Sequence, residues 1–157
     1  MFLNEIFPPE LIKIGLEADN KDEVFEELVD KFCQVTKTGS REAILEALWE
    51  REYKMSTGIQ KGIAIPHGKS NTLDKIHGIL GISKKGVDYE ALDDQPVFLI
   101  FMLLAPKTDS EEHLRLLKRI AELLDNHRFY EDLLVQRDAH GANGIIRKYE
   151  DIYIASE

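Results

Sequence analysis

Hydrophobic residues along the chain follow two periods, one typical of amphipathic helices and one typical of buried strands. The longest uninterrupted apolar segment is the nine-residue run Val97–Ala105. A run of this kind suits a strand buried on both faces, in the middle of a sheet that helices cover. Shorter apolar segments bounded by turn residues predict further strands at 11–16, 63–65 and 76–83.

Helical spacing of apolar residues occupies the segments between these strands. Asn20, with Glu23 three positions later, predicts a capped helix that continues to about Val35. Ser40 predicts the cap of a second helix, which ends near Tyr53.

The C-terminal half contains the longest helical pattern. Asp109 with Glu112 predicts another capped start. An apolar stripe at helical spacing follows it: His113, Leu116, Leu117, Ile120, Leu123 and Leu124. Residues 129–135 and 145–153 complete a helical tail. Strands interleaved with helices predict an α/β fold in layers, and the length of the chain predicts one domain over residues 1–157.

Composition and charge restrict the classes of partner. The formal net charge of −9 disfavours nucleic acid and anionic membrane surfaces, since no basic cluster in the sequence offsets it. No segment has the length of a signal peptide core or a membrane span, so we expect a cytoplasmic protein without membrane insertion. The single cysteine, Cys33, excludes a disulfide within the chain, and we expect it to fill a small space in the core.

Candidate chemistry centres on His67, which follows a short apolar strand and lies between Pro66 and Gly68. Proline fixes its own φ and cannot continue a strand ladder, while glycine permits conformations closed to other residues. The imidazole is therefore expected on a stiff, open turn. Its neutral ring nitrogen is a nucleophile near neutral pH. A His-Gly pair taken alone is, however, more often a structural turn than a catalytic one.

Other catalytic motifs are missing from the sequence. There is no HExxH helix, no cysteine pair for zinc, no GxSxG elbow, no GxxxxGK loop and no GxGxxG fingerprint. These absences disfavour a metalloprotease, a serine hydrolase and a nucleotide-dependent kinase, and we expect no metal or other cofactor. His77 at a strand start, His127 after a break and His140 in a loop receive structural interpretations.

The segment from Ser56 to His67, STGIQKGIAIPH, resembles the active-site segment STGIGxGIAIPH of bacterial phosphotransferase system enzyme IIA domains of type 2. This is the fructose, mannitol and nitrogen-related branch, and Gln60 is the one departure from its commonest form. The resemblance continues through Arg51, residues 86–106 and residues 112–114, and covers roughly residues 3–150. It implies a mixed five-stranded sheet with helices on both sides.

The resemblance implies a phosphocarrier, in which His67 accepts a phosphoryl group from phospho-HPr or its nitrogen-branch counterpart. The group then passes to an enzyme IIB domain. The usual attachment point in the family is Nε2 of this histidine. A histidine in the place of His113 stands beside the phosphorylated one in the family, and an arginine in the place of Arg51 contributes to the same pocket. The hydroxyls of Ser56 and Thr57 are further candidate donors to phosphoryl oxygens.

Plainer interpretations stand beside each of these roles. His113 shares an apolar helix face, where most histidines are simply buried, and Arg51 lies in a charged helix end of the kind that usually serves solubility. For the whole protein, the alternative is a nitrogen-related regulatory protein whose phosphorylation state controls its binding to other proteins. A scaffold that has lost phosphorylation is a third possibility, against which the joint presence of His67, Arg51 and His113 argues.

Overall fold

A mixed five-stranded sheet lies at the centre of the computed structural model, which describes residues 1–156. The strands run in the order β1, β4, β5, β2, and β3 also pairs with β5. β4 and β5 are antiparallel, whereas β1 is parallel to β4, and β2 and β3 are parallel to β5. The strand bounds are β1 Ile12–Ile14, β2 Ile63–Ala64, β3 His67–Lys69, β4 His77–Val87 and β5 Val97–Ala105.

β5 is the central strand, as its continuous apolar sequence predicts. Every residue of β5 except the half-buried Phe98 is buried. β2 and β3 lie one after the other along the same edge of β5, with Ile63 opposite Leu99 and His67 opposite Leu103. Pro66 has no N–H to donate, so the ladder is interrupted between these two short strands.

Six α-helices and one 3₁₀ turn complete the described chain. Their bounds are α1 Leu3–Ile6, the 3₁₀ turn Pro9–Leu11, α2 Lys21–Thr36, α3 Arg41–Glu52, α4 Ser110–Leu124, α5 His127–Leu134 and α6 Ala139–Ala155. Two predicted caps are confirmed. The side chain of Asn20 accepts a hydrogen bond from the Glu23 N–H (3.0 Å), and Ser40 accepts one from the Ala43 N–H (3.3 Å).

Two local predictions are wrong. Asp109 precedes α4, but its side chain makes no capping hydrogen bond, and Glu112 pairs with Arg115 instead. His140 lies inside α6 and not in a loop, because Asp138 caps this helix by accepting a hydrogen bond from the Gly141 N–H (2.7 Å). The first strand is also shorter than predicted, at three residues.

Helices cover both faces of the sheet, which confirms the predicted α/β layers. On one face α2 and α3 pack against inward side chains such as Ile100 and Met102 of β5. On the other face α1, α4, α5 and α6 pack against Leu99, Phe101 and Leu103. Alternate residues of a strand point to opposite faces, so β5 contributes to both clusters. Cys33 is half-buried at the edge of the first cluster.

Candidate active site

His67 is the first residue of β3, at the point where the chain resumes pairing with β5. Its Nδ1–H donates a hydrogen bond to the carbonyl oxygen of Ile65 (2.9 Å). A carbonyl can only accept, so this bond selects the tautomer that carries its proton on Nδ1. In residues 1–156 no protein group hydrogen-bonds to Nε2, which therefore keeps a free lone pair.

His113 stands beside His67. The two ring centroids are 5.6 Å apart and the rings meet edge to face at 68°. His113 lies in the first turns of α4 and is only 2% exposed, yet its Nε2 has no hydrogen-bond partner among the described residues. A buried ring nitrogen without a partner is unfavourable in the resting protein, and it is available to a ligand in the adjoining cleft.

Burial favours the neutral form of both imidazoles by lowering their pKa values. Burial is the main cause that lowers the pKa of His67, and the positive charge of Arg51 adds to it, while the hydrogen bond to Ile65 opposes it. Burial, followed by the neighbouring His67 and Lys69, lowers the pKa of His113 to about 4. A neutral imidazole is the form that can attack phosphorus.

Arg51 reaches the site from the last turn of α3. Its guanidinium Nη1 donates to the carbonyl of Met55 (2.7 Å). α3 lies directly against β3, because Gly68 has no side chain: a Cβ there would lie 3.0 Å from backbone atoms of Ala47 and Leu48. The glycine after the histidine thus serves packing, and this close approach brings Arg51 to the same cleft as His67.

An open cleft of about 630 Å³ joins these residues. Its lining carries four cationic side chains and a single acidic one, although the whole chain is acidic. The lining residues are Ala47, Glu50, Arg51, Lys54, His67, Gly68, Lys69, Lys107, Ser110, His113, Leu114 and Leu117. The cleft therefore combines an imidazole whose neutral form is favoured with positive charge, a combination suited to binding a phosphoryl group.

The three lysines of the cleft were not among the sequence candidates. Lys69 donates from its Nζ to the Ser110 hydroxyl (2.9 Å) and so connects β3 with the start of α4. Strand periodicity could have found it, since residues two apart on a strand share a face, and Lys69 follows His67 by two. Lys54 and Lys107 lie in turns. A turn has no periodic pattern from which the direction of a side chain could be predicted.

Ser56 and Thr57 do not line the cleft. The Thr57 hydroxyl donates to Oε1 of the buried Glu52 (2.6 Å) and lies 2.7 Å from the Tyr89 hydroxyl. Ser56 Oγ accepts a hydrogen bond from the Gly58 N–H (3.1 Å). The structure thus brings His67, His113 and Arg51 together and places both hydroxyls in the framework of the loop before β2.

The remaining histidines lie elsewhere. His77 begins β4, is 8% exposed and packs edge to face on Phe32, 4.9 Å between ring centroids. His127 and His140 lie in the first turns of α5 and α6. None of the three lines the cleft.

Comparison with known sequences identifies the family. Residues 5–149 match the family described as the phosphoenolpyruvate-dependent sugar phosphotransferase system, EIIA 2. The chain belongs to this family. The predicted family is confirmed, and with it a phosphotransfer role as a IIA component of that system.

Relatives of this IIA protein fall into two groups. A nitrogen regulatory protein of Bradyrhizobium diazoefficiens is 36% identical over 93% of this chain and 95% of its own length. The fructose-specific EIIABC component of Bacillus subtilis is 35% identical over 96% of this chain, which spans only 24% of that protein.

The fold is shared with solved IIA structures. The crystal structure of the nitrogen regulatory protein IIA-Ntr from Neisseria meningitidis superposes with a TM-score of 0.84 at 30% identity, over 92% of this chain and 98% of that one. In the described part of this IIA protein, no helix has both the length and the apolar character needed to cross a membrane.

Proposed function

We propose that Nε2 of His67 is the atom that carries the phosphoryl group in this IIA protein. The observation that supports this most strongly is the hydrogen bond from Nδ1–H to the Ile65 carbonyl. It fixes the ring, assigns the proton to Nδ1 and leaves the Nε2 lone pair without a protein partner beside a cationic cleft.

The transfer is a displacement at phosphorus in each direction. The Nε2 lone pair forms a bond to phosphorus while the bond to the donor's leaving nitrogen breaks, and the donor ring keeps that electron pair. In the second step the acceptor's nucleophile bonds to phosphorus, and the electrons of the P–N bond return to Nε2. His67 Nδ1 keeps its proton throughout, because the Ile65 carbonyl accepts the hydrogen bond from Nδ1–H before and after each step.

Arg51 and His113 are the proposed ligands of the phosphoryl oxygens. A guanidinium can hold two oxygens of the group at once, and its charge offsets the charge that spreads over them in the transition state. The buried Nε2 of His113 has no partner among the described residues, and the Leu103 carbonyl accepts from the other side of the ring. Nε2 would therefore donate to a phosphoryl oxygen by taking up a proton as that negatively charged group arrives. Lys69 adds a second positive charge from β3.

The proposed donor is phospho-HPr or its nitrogen-branch counterpart, and the proposed acceptor is an enzyme IIB domain. Exposed apolar side chains lie where such partners would dock. Leu114, next to His113 and lining the cleft, is 69% exposed, and Tyr53 and Met55, between α3 and the motif, are 80% and 57% exposed. Exposed apolar groups around a polar site are typical of protein–protein contact surfaces.

A regulatory role is the second candidate, because a nitrogen regulatory protein matches this chain over nearly its whole length. In that case phosphorylation of His67 would change binding to a target protein and not feed a transporter. Addition of an enzyme IIB domain of the fructose type to the phosphorylated protein distinguishes the two. Rapid loss of the label to IIB supports transport, whereas a stable label supports regulation.

The proposal is tested with purified protein incubated with labelled phosphoenolpyruvate, enzyme I and HPr. We expect acid-labile phosphate on the wild-type protein and none on the His67→Ala variant, with unchanged circular dichroism for both. Label that persists in His67→Ala would overturn the assignment of His67.

A further inference from the structure

A buried carboxylate lies directly behind the cleft. Glu52, the last residue of α3, is 5% exposed. Its Oε2 accepts a hydrogen bond from the Thr57 N–H (2.8 Å) and pairs with Nζ of Lys21 (3.0 Å), which is itself largely buried. Its Oε1 accepts from the Thr57 hydroxyl (2.6 Å). Both oxygens of Glu52 are thus occupied, as a buried charge requires.

Tyr89 completes the cluster on its far side. Its hydroxyl lies 2.7 Å from that of Thr57, and the Lys21 ammonium lies 4.9 Å from the centre of its ring. The cluster therefore joins four parts of the chain: the start of α2, the end of α3, the motif at Thr57 and the segment after β4. Because every member is buried or paired, this is a rigid connection.

A short chain of hydrogen bonds leads from Glu52 to the nucleophile. Thr57, held by Glu52 at both its N–H and its hydroxyl, accepts from the Ile65 N–H with its own carbonyl (3.0 Å). The carbonyl of the same Ile65 accepts from Nδ1–H of His67 (2.9 Å). The position of the acceptor that fixes the His67 tautomer thus depends on how Thr57 is held.

A second route leads from Glu52 to Arg51. The bonds between Glu52 and Thr57 close the turn 53–57. Met55 lies within this turn, and its carbonyl accepts the hydrogen bond from Arg51 Nη1 (2.7 Å). The same carboxylate therefore restrains the acceptor that orients the guanidinium.

We propose that Glu52 is a positioning residue, which holds His67 and Arg51 in register through its two bonds to Thr57, with Lys21 as its counter-ion. This inference rests on the proposed function for its kinetic consequences. It assigns Thr57 to the framework of the site and not to direct contact with phosphate. A carboxylate is needed at this place, because a glutamine would remove the negative charge that pairs with Lys21. Its amide N–H group would then either face the Lys21 ammonium and the Thr57 N–H or force the Thr57 hydroxyl to reverse its hydrogen bond.

The molecule contains a matched control for this proposal. Glu150 in α6 is 1% exposed, accepts a hydrogen bond from the Leu3 N–H (2.7 Å) and pairs with Arg119 (3.0 Å). Like Glu52 it is a buried carboxylate that accepts from a backbone N–H and pairs with a cation, but it connects α1, α4 and α6 and makes no bond to Thr57. Loss of either carboxylate leaves a buried cation unpaired, whereas only Glu52 contacts the motif.

The experiment compares Glu52→Gln, Thr57→Val and Glu150→Gln with the wild type. The first measurement is the tautomer of His67 in the unphosphorylated protein, from the ¹⁵N chemical shifts of its ring. We expect the tautomer with its proton on Nδ1 to predominate in the wild type and in Glu150→Gln. In Glu52→Gln and Thr57→Val the fraction with the proton on Nε2 should rise. The second measurement is the transfer rate from phospho-HPr.

For Glu52→Gln and Thr57→Val we expect kcat to fall at least about tenfold, because the nucleophile and the guanidinium are misplaced. KM for HPr should stay within about twofold, since the exposed rim of the cleft is unaltered. Glu150→Gln should lower the melting temperature and leave tautomer and kcat unchanged. A wild-type tautomer in both Glu52→Gln and Thr57→Val would overturn the proposal.

The two proposals fail in different ways. If the wild type is not phosphorylated on His67, the proposed function is lost, while the tautomer comparison still decides the role of Glu52. If Glu52→Gln does not fold, Thr57→Val decides alone, because it keeps the buried Glu52–Lys21 ion pair and removes only the hydroxyl bond to it.

Discussion

His67 and His77 begin two strands that lie on opposite sides of β5, in register with Leu103 and Leu104. Both imidazoles lie at the same end of the sheet, and burial lowers the pKa of both. Their surroundings nevertheless differ in each property that nucleophilic chemistry needs. A histidine at a strand end is therefore not sufficient for the chemistry proposed for His67.

The first difference is the hydrogen bond that selects the tautomer. His67 donates from Nδ1 to a backbone carbonyl, which leaves Nε2 free beside a cleft. His77 packs against the ring of Phe32, and its buried Nε2 has no hydrogen-bond partner among residues 1–156. The second difference is charge, since Arg51 and lysines surround His67. The site is therefore made by α3, which packs directly against β3, and by α4, which places His113 beside His67.

Among variants that keep His67, removal of the Arg51 side chain should lower the transfer rate most. We expect Arg51→Ala to slow phosphoryl transfer about a hundredfold, the usual loss when one donor to a transition-state oxyanion is deleted. Arg51→Lys should recover part of the rate, because it keeps the charge but not the two-pronged geometry. Single-turnover transfer from phospho-HPr measures both. If Arg51→Ala changed the transfer rate by less than twofold, the charge of Arg51 would not explain why His67 and His77 differ.

His113 should give a smaller kinetic effect. We expect His113→Ala to slow transfer about tenfold, since it deletes one proposed ligand of the phosphoryl oxygens and leaves the guanidinium. Stopped-flow transfer at pH 7.5 is the measurement, with Leu114→Ala as a neighbour that should alter the KM for the partner more than kcat. Unchanged rates in His113→Ala would make its burial beside His67 purely structural.

His113 should also make the free energy of unfolding depend on pH. Its folded pKa of about 4 lies below the ordinary value of 6.5, so the unfolded chain binds the proton more readily. Stability from this group is complete well above pH 6.5 and is lost as the pH falls towards 4, by about 2.5 kcal/mol at pH 4.5. Urea unfolding of the wild type and His113→Gln at pH 7.5 and 4.5 should show the smaller acid loss in the variant. Equal losses would contradict the neutral, buried state.

The smallest kinetic effect should come from His77. We expect His77→Phe to leave the transfer rate within about twofold, because this ring does not contact the cleft. It should also reduce the acid loss of stability, since burial, together with the charge of Lys75, lowers the pKa of His77 and makes its protonation costly in the folded state. A tenfold lower transfer rate in His77→Phe would show that His77 contributes to the site, which would contradict the difference described here.

Local patterns predicted most of the fold. β5 was predictable because burial on both faces leaves a continuous apolar run, and the caps at Asn20 and Ser40 because a capping bond spans only three residues. At Asp109 the backbone is not extended as it is at Asn20 and Ser40, and its side chain makes no capping bond, so a sequence match to a capping box does not guarantee its bonds.

The candidate site was predictable only in part. The motif and the family resemblance pointed to His67, Arg51 and His113, and the structure brings these three to one cleft. The partners of Thr57 could not be predicted, since Tyr89 is 32 positions away and its contact depends on the complete fold. The position of Thr57 in the motif that resembles the enzyme IIA active-site segment suggested a phosphate ligand, whereas its hydroxyl is bonded to buried Glu52.

Nε2 of His67 is the proposed nucleophile of this IIA protein. The most direct test is long-range ¹H–¹⁵N spectroscopy of ¹⁵N-histidine-labelled protein, before and after phosphorylation by phosphoenolpyruvate, enzyme I and HPr. We expect only the His67 ring to acquire a phosphoryl group, with the large ¹⁵N shift on Nε2 and the proton kept on Nδ1. A phosphoryl group on Nδ1 of His67, or on His113, would contradict the account.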